Sequence, residues 1–85
     1  MAKHKVADII SVDGPVERLP STVAKMPLEK VQAIVGGYIE HVRVGGAGEL
    51  WCNEEGALQG LPSNNTASRM TGHAVVGDVI VESWE

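Results

Sequence analysis

The stretch "MPLEKVQAIVGGYIEHVRV", residues 26–44, decides the fold because its hydrophobic period changes half-way along. Leu28, Val31, Ile34 and Val35 recur at three- and four-residue spacing and make one apolar stripe, which predicts a helix over residues 26–37. Pro27 suits the first helical position, where a missing N–H leaves no bond unmade, and Gly36 with Gly37 supplies a left-handed stop. From Tyr38 the pattern alternates. Tyr38, Glu40, Val42 and Val44 share one face, and Ile39, His41 and Arg43 the other, which predicts a strand.

Outward from this helix–strand unit, "GGAG" (45–48) reads as a hairpin loop and "ELWCN" (49–53) as the partner strand. Upstream, "KVADIISV" (5–12) is β-branched and ends at the turn pair Asp13-Gly14. "PVERLP" (15–20) follows as a short strand that its two prolines confine to a sheet edge. Downstream, "PSNNTASRMTG" (62–72) predicts one or two helical turns through Met70, capped by Ser63 or Asn64. "HAVVGDVIVESWE" (73–85) closes the chain as one strand with a bulge or break at Gly77-Asp78. The order is ββαββ, a short helix, then β. This is an α+β fold, a small antiparallel or mixed sheet with one main helix packed on it. Val31, Ile34 and Val35 are expected against Ile9, Ile39, Val42 and residues 79–81.

Eighty-five residues make a single domain spanning 1–85 with a thin core. With no Phe, two Trp and one Tyr, that core gains few large contacts, so a homo-oligomer is expected, with Trp84 as a subunit contact. Eleven acids against seven bases give a net charge of −4, which argues against duplex nucleic acid as a partner. The apolar run in "MAKHKVADII" is too short for a signal peptide or a membrane span, so the expectation is a cytoplasmic protein without a membrane partner.

The densest polar run is "CNEEGALQGLPSNN", residues 52–65. One reading makes it a ligand site. Asn53, Glu54, Glu55, Gly56 and Asn64 would surround a small nucleotide-like molecule, Arg43 or Arg69 would meet its phosphate, and Tyr38 or Trp51 would stack on its ring. The other reading makes it a hairpin turn at Glu55-Gly56 followed by a "GLP" turn, with Asn64 bonding local backbone. Glu54 and Glu55 are adjacent and point to opposite faces in extended chain, a poor acid–base pair. His4, His41 and His73 are far apart in sequence and no carboxylate spacing joins them into a metal motif. Cys52 is alone and reads as a small buried hydrophobe; as a nucleophile it would need His41 directly across the hairpin. No enzyme activity, metal or cofactor is expected.

Three runs together carry a resemblance: "VQAIVGGYIEHVRV" (31–44), "CNEEGALQGLPSNNTAS" (52–68) and "VVGDVIV" (75–81). They resemble the pattern of a family catalogued as domain of unknown function 3846, over roughly residues 6–81. The resemblance implies a phage-type accessory protein with a sheet-plus-helix fold, and it transfers no catalytic residue. Two functions are expected from different classes. In the first, the protein binds and sequesters a small nucleotide-derived immune signal, an anti-defence role without chemistry. In the alternative, it inhibits a host protein through its acidic surface.

Overall fold

A computed structural model of the chain describes residues 3–45 and 48–85. The expected loop at 45–48 falls partly outside them. Five strands, β1 (Lys5–Ile10), β2 (Val16–Arg18), β3 (Ile39–Arg43), β4 (Glu49–Asn53) and β5 (Val79–Trp84), form one sheet in the order β2-β1-β5-β4-β3. Every pairing is antiparallel. Two helices, α1 (Leu28–Val35) and α2 (Asn65–Thr71), pack on it, so the fold is α+β.

The helix expected over 26–37 is α1, with Pro27 one step earlier than expected, at the capping position rather than the first helical one. Gly36 ends it in the left-handed region (φ 84°), donating its N–H to the Gln32 carbonyl at 2.8 Å. A 3₁₀ turn at Val23–Lys25, which no periodicity announces, precedes α1. The closing strand is shorter than expected. Val76 makes only an isolated bridge to Ser63, Gly77 turns left-handed (φ 76°), and regular pairing begins at Val79.

The sheet is covered on both faces. On the α1 face, Val31 packs with Ala7, Leu19 and Ile80, flanked by Ile9, Ile34, Ile39 and Trp51. On the other face, Ala67 of α2 packs with Ile10, Val44, Leu50, Val75, Val79 and Val81, flanked by Val42 and Cys52. This corrects the expected α1 contacts: Ile9, Ile39 and Ile80 lie under α1, whereas Val42, Val79 and Val81 face away from it. The alternation of side chains along a strand dictates the difference, because residues 79 and 81 cannot share a face with Ile80. The central strand accordingly reads Val-Ile-Val without polar interruption, the signature of a strand buried on both sides.

One polar side chain ties the α1 layer down. Glu82 is 4% exposed, and its carboxylate accepts the Val23 N–H at 2.7 Å, anchoring the start of the 3₁₀ turn. Glu82→Gln is expected to cost about 1–2 kcal/mol, since a neutral amide oxygen accepts more weakly than a carboxylate. Urea denaturation of the two chains measures it.

Candidate functional site

The structure separates the expected site residues and does not gather them into one pocket. Asn64 is completely buried and caps α2. Its Oδ1 accepts the Ala67 N–H at 3.0 Å, and its Nδ2 donates to the Ile10 and Gly77 carbonyls at 2.8 Å each. Asn53 is also buried. Its Nδ2 donates to the Val35 carbonyl (3.2 Å) and to Gln59 Oε1 (3.1 Å), and its Oδ1 accepts the Glu55 N–H (2.8 Å). Both amides are committed to the fold, one joining the α2 cap to β1, the other joining the end of α1 to the turn after β4. The turn reading gave Asn64 a bond to local backbone; besides the local Ala67 N–H, its partners are backbone carbonyls far away in sequence.

Cys52, Asn53, Glu54 and Gly56 line a groove of about 240 Å³ between β3–β4 and residues 73–76. Val42, Leu50, Val75 and Val76 make it largely apolar, while Glu40, Glu54 and His73 add polar groups. Gly56 has no positive φ; it is needed for space, since a Cβ there would stand 2.8 Å from Val76 Cγ2. Neither Arg43 nor Arg69 lines this groove. A phosphate here would meet two carboxylates and no guanidinium. Tyr38 and Glu55 lie together in a separate shallow hollow with Gln32, Gly37 and Gln59, and Arg69 is exposed on α2.

Across the hairpin from Cys52 stands Glu40; His41 pairs with Trp51 on the opposite face. Burial, and secondarily the Glu40 charge, pushes the Cys52 thiol above its ordinary pKa. The thiol donates a weak hydrogen bond to the Glu40 carbonyl at 3.7 Å. These are the properties of a packing cysteine, with the thiolate disfavoured.

Arg43 is drawn instead into a group on the α1 face, beyond the reach of α1. Antiparallel pairing sets Lys5 opposite Trp84, Glu82 opposite Glu49, and Glu49 opposite Arg43. Lys5, Arg43, Glu49 and Trp84, with Gly45 and Gly48, line an open hollow of about 440 Å³. Lys5 Nζ sits 2.9 Å from Glu49 Oε2, 4.0 Å from Glu82 Oε1 and 5.6 Å from the Trp84 ring centre. His41 Nε2 lies 2.8 Å from Glu49 Oε1 and stacks on Trp51, with ring centres 4.4 Å apart and planes 8° from parallel. Trp84 remains 59% exposed, so its ring is accessible to a ligand. Lys5 and Arg43 line this hollow with the Glu49 carboxylate, and the buried Glu82 carboxylate stands 4.0 Å from Lys5.

Electrostatics here has a testable consequence. The hydrogen bond from Lys5, and then that involving His41, holds the Glu49 carboxyl below its ordinary pKa, and the same contact raises Lys5. A depressed folded-state pKa means the Lys5–Glu49 interaction is present above the ordinary carboxylate pKa and is lost as pH falls through Glu49's lower value. An NMR titration of the Glu49 carboxyl is expected to show that low midpoint in the wild type and a return toward the ordinary carboxylate value in Lys5→Met.

Among these residues, Arg43 was named from sequence as a phosphate contact. Lys5, Glu49 and Trp84 were not assigned to a ligand, because the pairing that joins β1 to β5, eighty residues on, has no local signal. No helix among the described residues is long and apolar enough to cross a membrane. Comparison with curated proteins and with solved structures returns no match. The pattern of the family described as Domain of unknown function (DUF3846) matches residues 8–84, and with that match over nearly its whole length the chain belongs to this family.

Proposed function

We propose that this protein is a binding module without catalysis, and that it sequesters a small anionic, ring-bearing ligand of the nucleotide class on the Lys5–Arg43–Trp84 hollow. The observation that carries this reading is the meeting of an exposed indole, an arginine and a lysine at one hollow of an otherwise acidic chain. The ring of the ligand stacks on Trp84, its phosphate sits against Arg43, and Lys5 adds a second positive charge. Glu49, held by Lys5 and His41, is placed to accept from ligand hydroxyls. One arginine and one lysine suit a single phosphate or phosphate pair and not a polymer, whose binding rests on many neutralised phosphates.

Because the hollow is open, a symmetric pair of copies meeting across Trp84 would enclose the ligand, so the homo-oligomer belongs to this proposal. Removal of a nucleotide-derived immune signal from a host cytoplasm is the biological role proposed with it, supported by the phage-type family resemblance.

Thermal-shift screening of nucleoside mono- and diphosphates and cyclic dinucleotides is the first test, followed by calorimetry on Arg43→Ala and Trp84→Ala. Both side chains are exposed, so both variants are expected to melt like the wild type. Each is expected to bind at least about tenfold more weakly, a loss of roughly 1.4 kcal/mol. Unchanged affinity in both variants would remove the ligand from this hollow. Light scattering with and without the bound nucleotide reports whether copies associate around it.

A further inference from the structure

Among the described residues, β3 is an edge strand and pairs with β4 alone. In that ladder the Tyr38 carbonyl accepts the Glu54 N–H at 2.8 Å, and the Val44 N–H donates to the Gly48 carbonyl at 2.9 Å. Hydrogen-bonded pairs of an antiparallel ladder alternate with pairs whose polar groups point away from the partner strand. The backbone N–H and C=O groups of Ile39, His41 and Arg43 therefore project off the free edge.

The same edge borders the groove on the α2 side of the sheet. Glu40 and Val42 of β3 line it, with Cys52 and Leu50 of β4, and Glu54 adds a second carboxylate. Among the described residues no lysine or arginine lines it. An extended segment added to β3 would alternate its side chains in step with those of β3. Its residues beside Glu40 and beside Val42, two positions apart, would both fall on the groove side. The residue between them would fall beside His41 and near Arg43, on the opposite face.

We infer that the β3 edge docks an extended segment of a partner protein that runs parallel to β3 and reads base–acid–apolar. A lysine or arginine beside Glu40 extends its charge toward Glu54, an acid meets His41 and Arg43, and an apolar side chain packs against Val42. The chain's own β3 does not fit this position. Paired antiparallel with a second copy and centred on His41, it sets Glu40 opposite valine and one imidazole against another, and brings no base to the groove. Its base and apolar contacts lie on the opposite face of the sheet from the proposed nucleotide hollow, whereas its acid contact shares Arg43 with that hollow.

The test is amide hydrogen exchange read by NMR, using the capped pentapeptide Thr-Lys-Glu-Val-Thr at millimolar concentration. A second peptide, Thr-Glu-Lys-Val-Thr, has the same composition with its charges exchanged between faces. The first peptide is expected to protect the Ile39, His41 and Arg43 amides and to shift the Cys52 resonances. The second is expected to bind more weakly by about three- to tenfold, as is the first peptide toward a Glu40→Gln/Glu54→Gln protein, whose substituted side chains are exposed in the wild type. Absent protection at millimolar peptide, or equal binding of the two peptides, would overturn the inference. So would protection of the same amides that grows with protein concentration alone, since the edge would then be an interface between copies.

Discussion

Replacing Asn64 by alanine is expected to destabilise the protein by about 3 kcal/mol while leaving the binding proposed for the Lys5–Arg43–Trp84 hollow unchanged below the melting temperature. The amide makes three hydrogen bonds in a fully buried place. Its loss removes the α2 cap, worth about 1 kcal/mol, and two further hydrogen bonds, to the Ile10 and Gly77 carbonyls, in a place closed to water, at about 1–3 kcal/mol for a buried group left short of a partner. At about 4–8 °C per kcal/mol in a domain of this size, the melting temperature falls by roughly 12–24 °C. Asn64→Asp separates the contributions. It keeps the acceptor that caps α2 but turns a carboxylate toward two carbonyl oxygens, so it is expected to be at least as damaging. Calorimetric melting of the three chains measures both. A melting temperature within a few degrees of wild type for Asn64→Ala would show that the asparagine does not hold α2 to β1.

The second large effect is expected at Gly48. This residue opens β4 in the left-handed region, with φ 110°, and the Cβ of any other residue would collide with the Glu82 carbonyl oxygen. That oxygen belongs to the backbone of the central strand, which is held by β1 on one side and β4 on the other and cannot withdraw. Gly48→Ala combines the strain of a left-handed non-glycine residue, about 1–3 kcal/mol, with an overpacking cost of similar size. A loss of about 3 kcal/mol or more is expected in urea denaturation, with hydrogen-exchange protection lost first where Glu49 pairs with Glu82. Because Gly48 and Glu49 also line the hollow, binding is expected to weaken in the same variant.

Much of the fold is legible residue by residue. The change of period at Gly36–Tyr38 marks α1 and β3, and the alternation of residues 38–44 correctly divides Val42 and Val44 from Ile39 and His41. The α2 cap is legible to within one residue, because Ser63 and Asn64 both precede a short helical run and both residue types serve as caps; the structure selects Asn64. What could not be read is whatever depends on pairing remote segments. Asn64 reaches Ile10 across 54 positions, and β1 lies beside β5 although they stand at opposite ends of the chain. That neighbourhood brings Lys5 to Trp84 and both to Arg43, so the hollow exists only in the folded chain. The same distance explains why the polar run at 52–65 attracted the site reading. Local composition shows many polar groups, but whether they face a ligand or distant backbone depends on burial, and here Asn53 and Asn64 are buried. The second layer was missed for a related reason: α2 is only seven residues long, and its contribution to the core is essentially Ala67.

The most direct test of the proposed binding site is a titration of uniformly ¹⁵N-labelled protein with ADP, following the two tryptophan indole N–H signals and the Arg43 side chain. The indole of Trp84 and the guanidinium of Arg43 are predicted to shift together along one saturable curve. The indole of Trp51, covered by the His41 ring, is predicted to move less. Saturable shifts confined to Glu54, Glu55 and the turn around Gly56, with Trp84 and Arg43 unmoved, would contradict the account and return the site to the loop after β4.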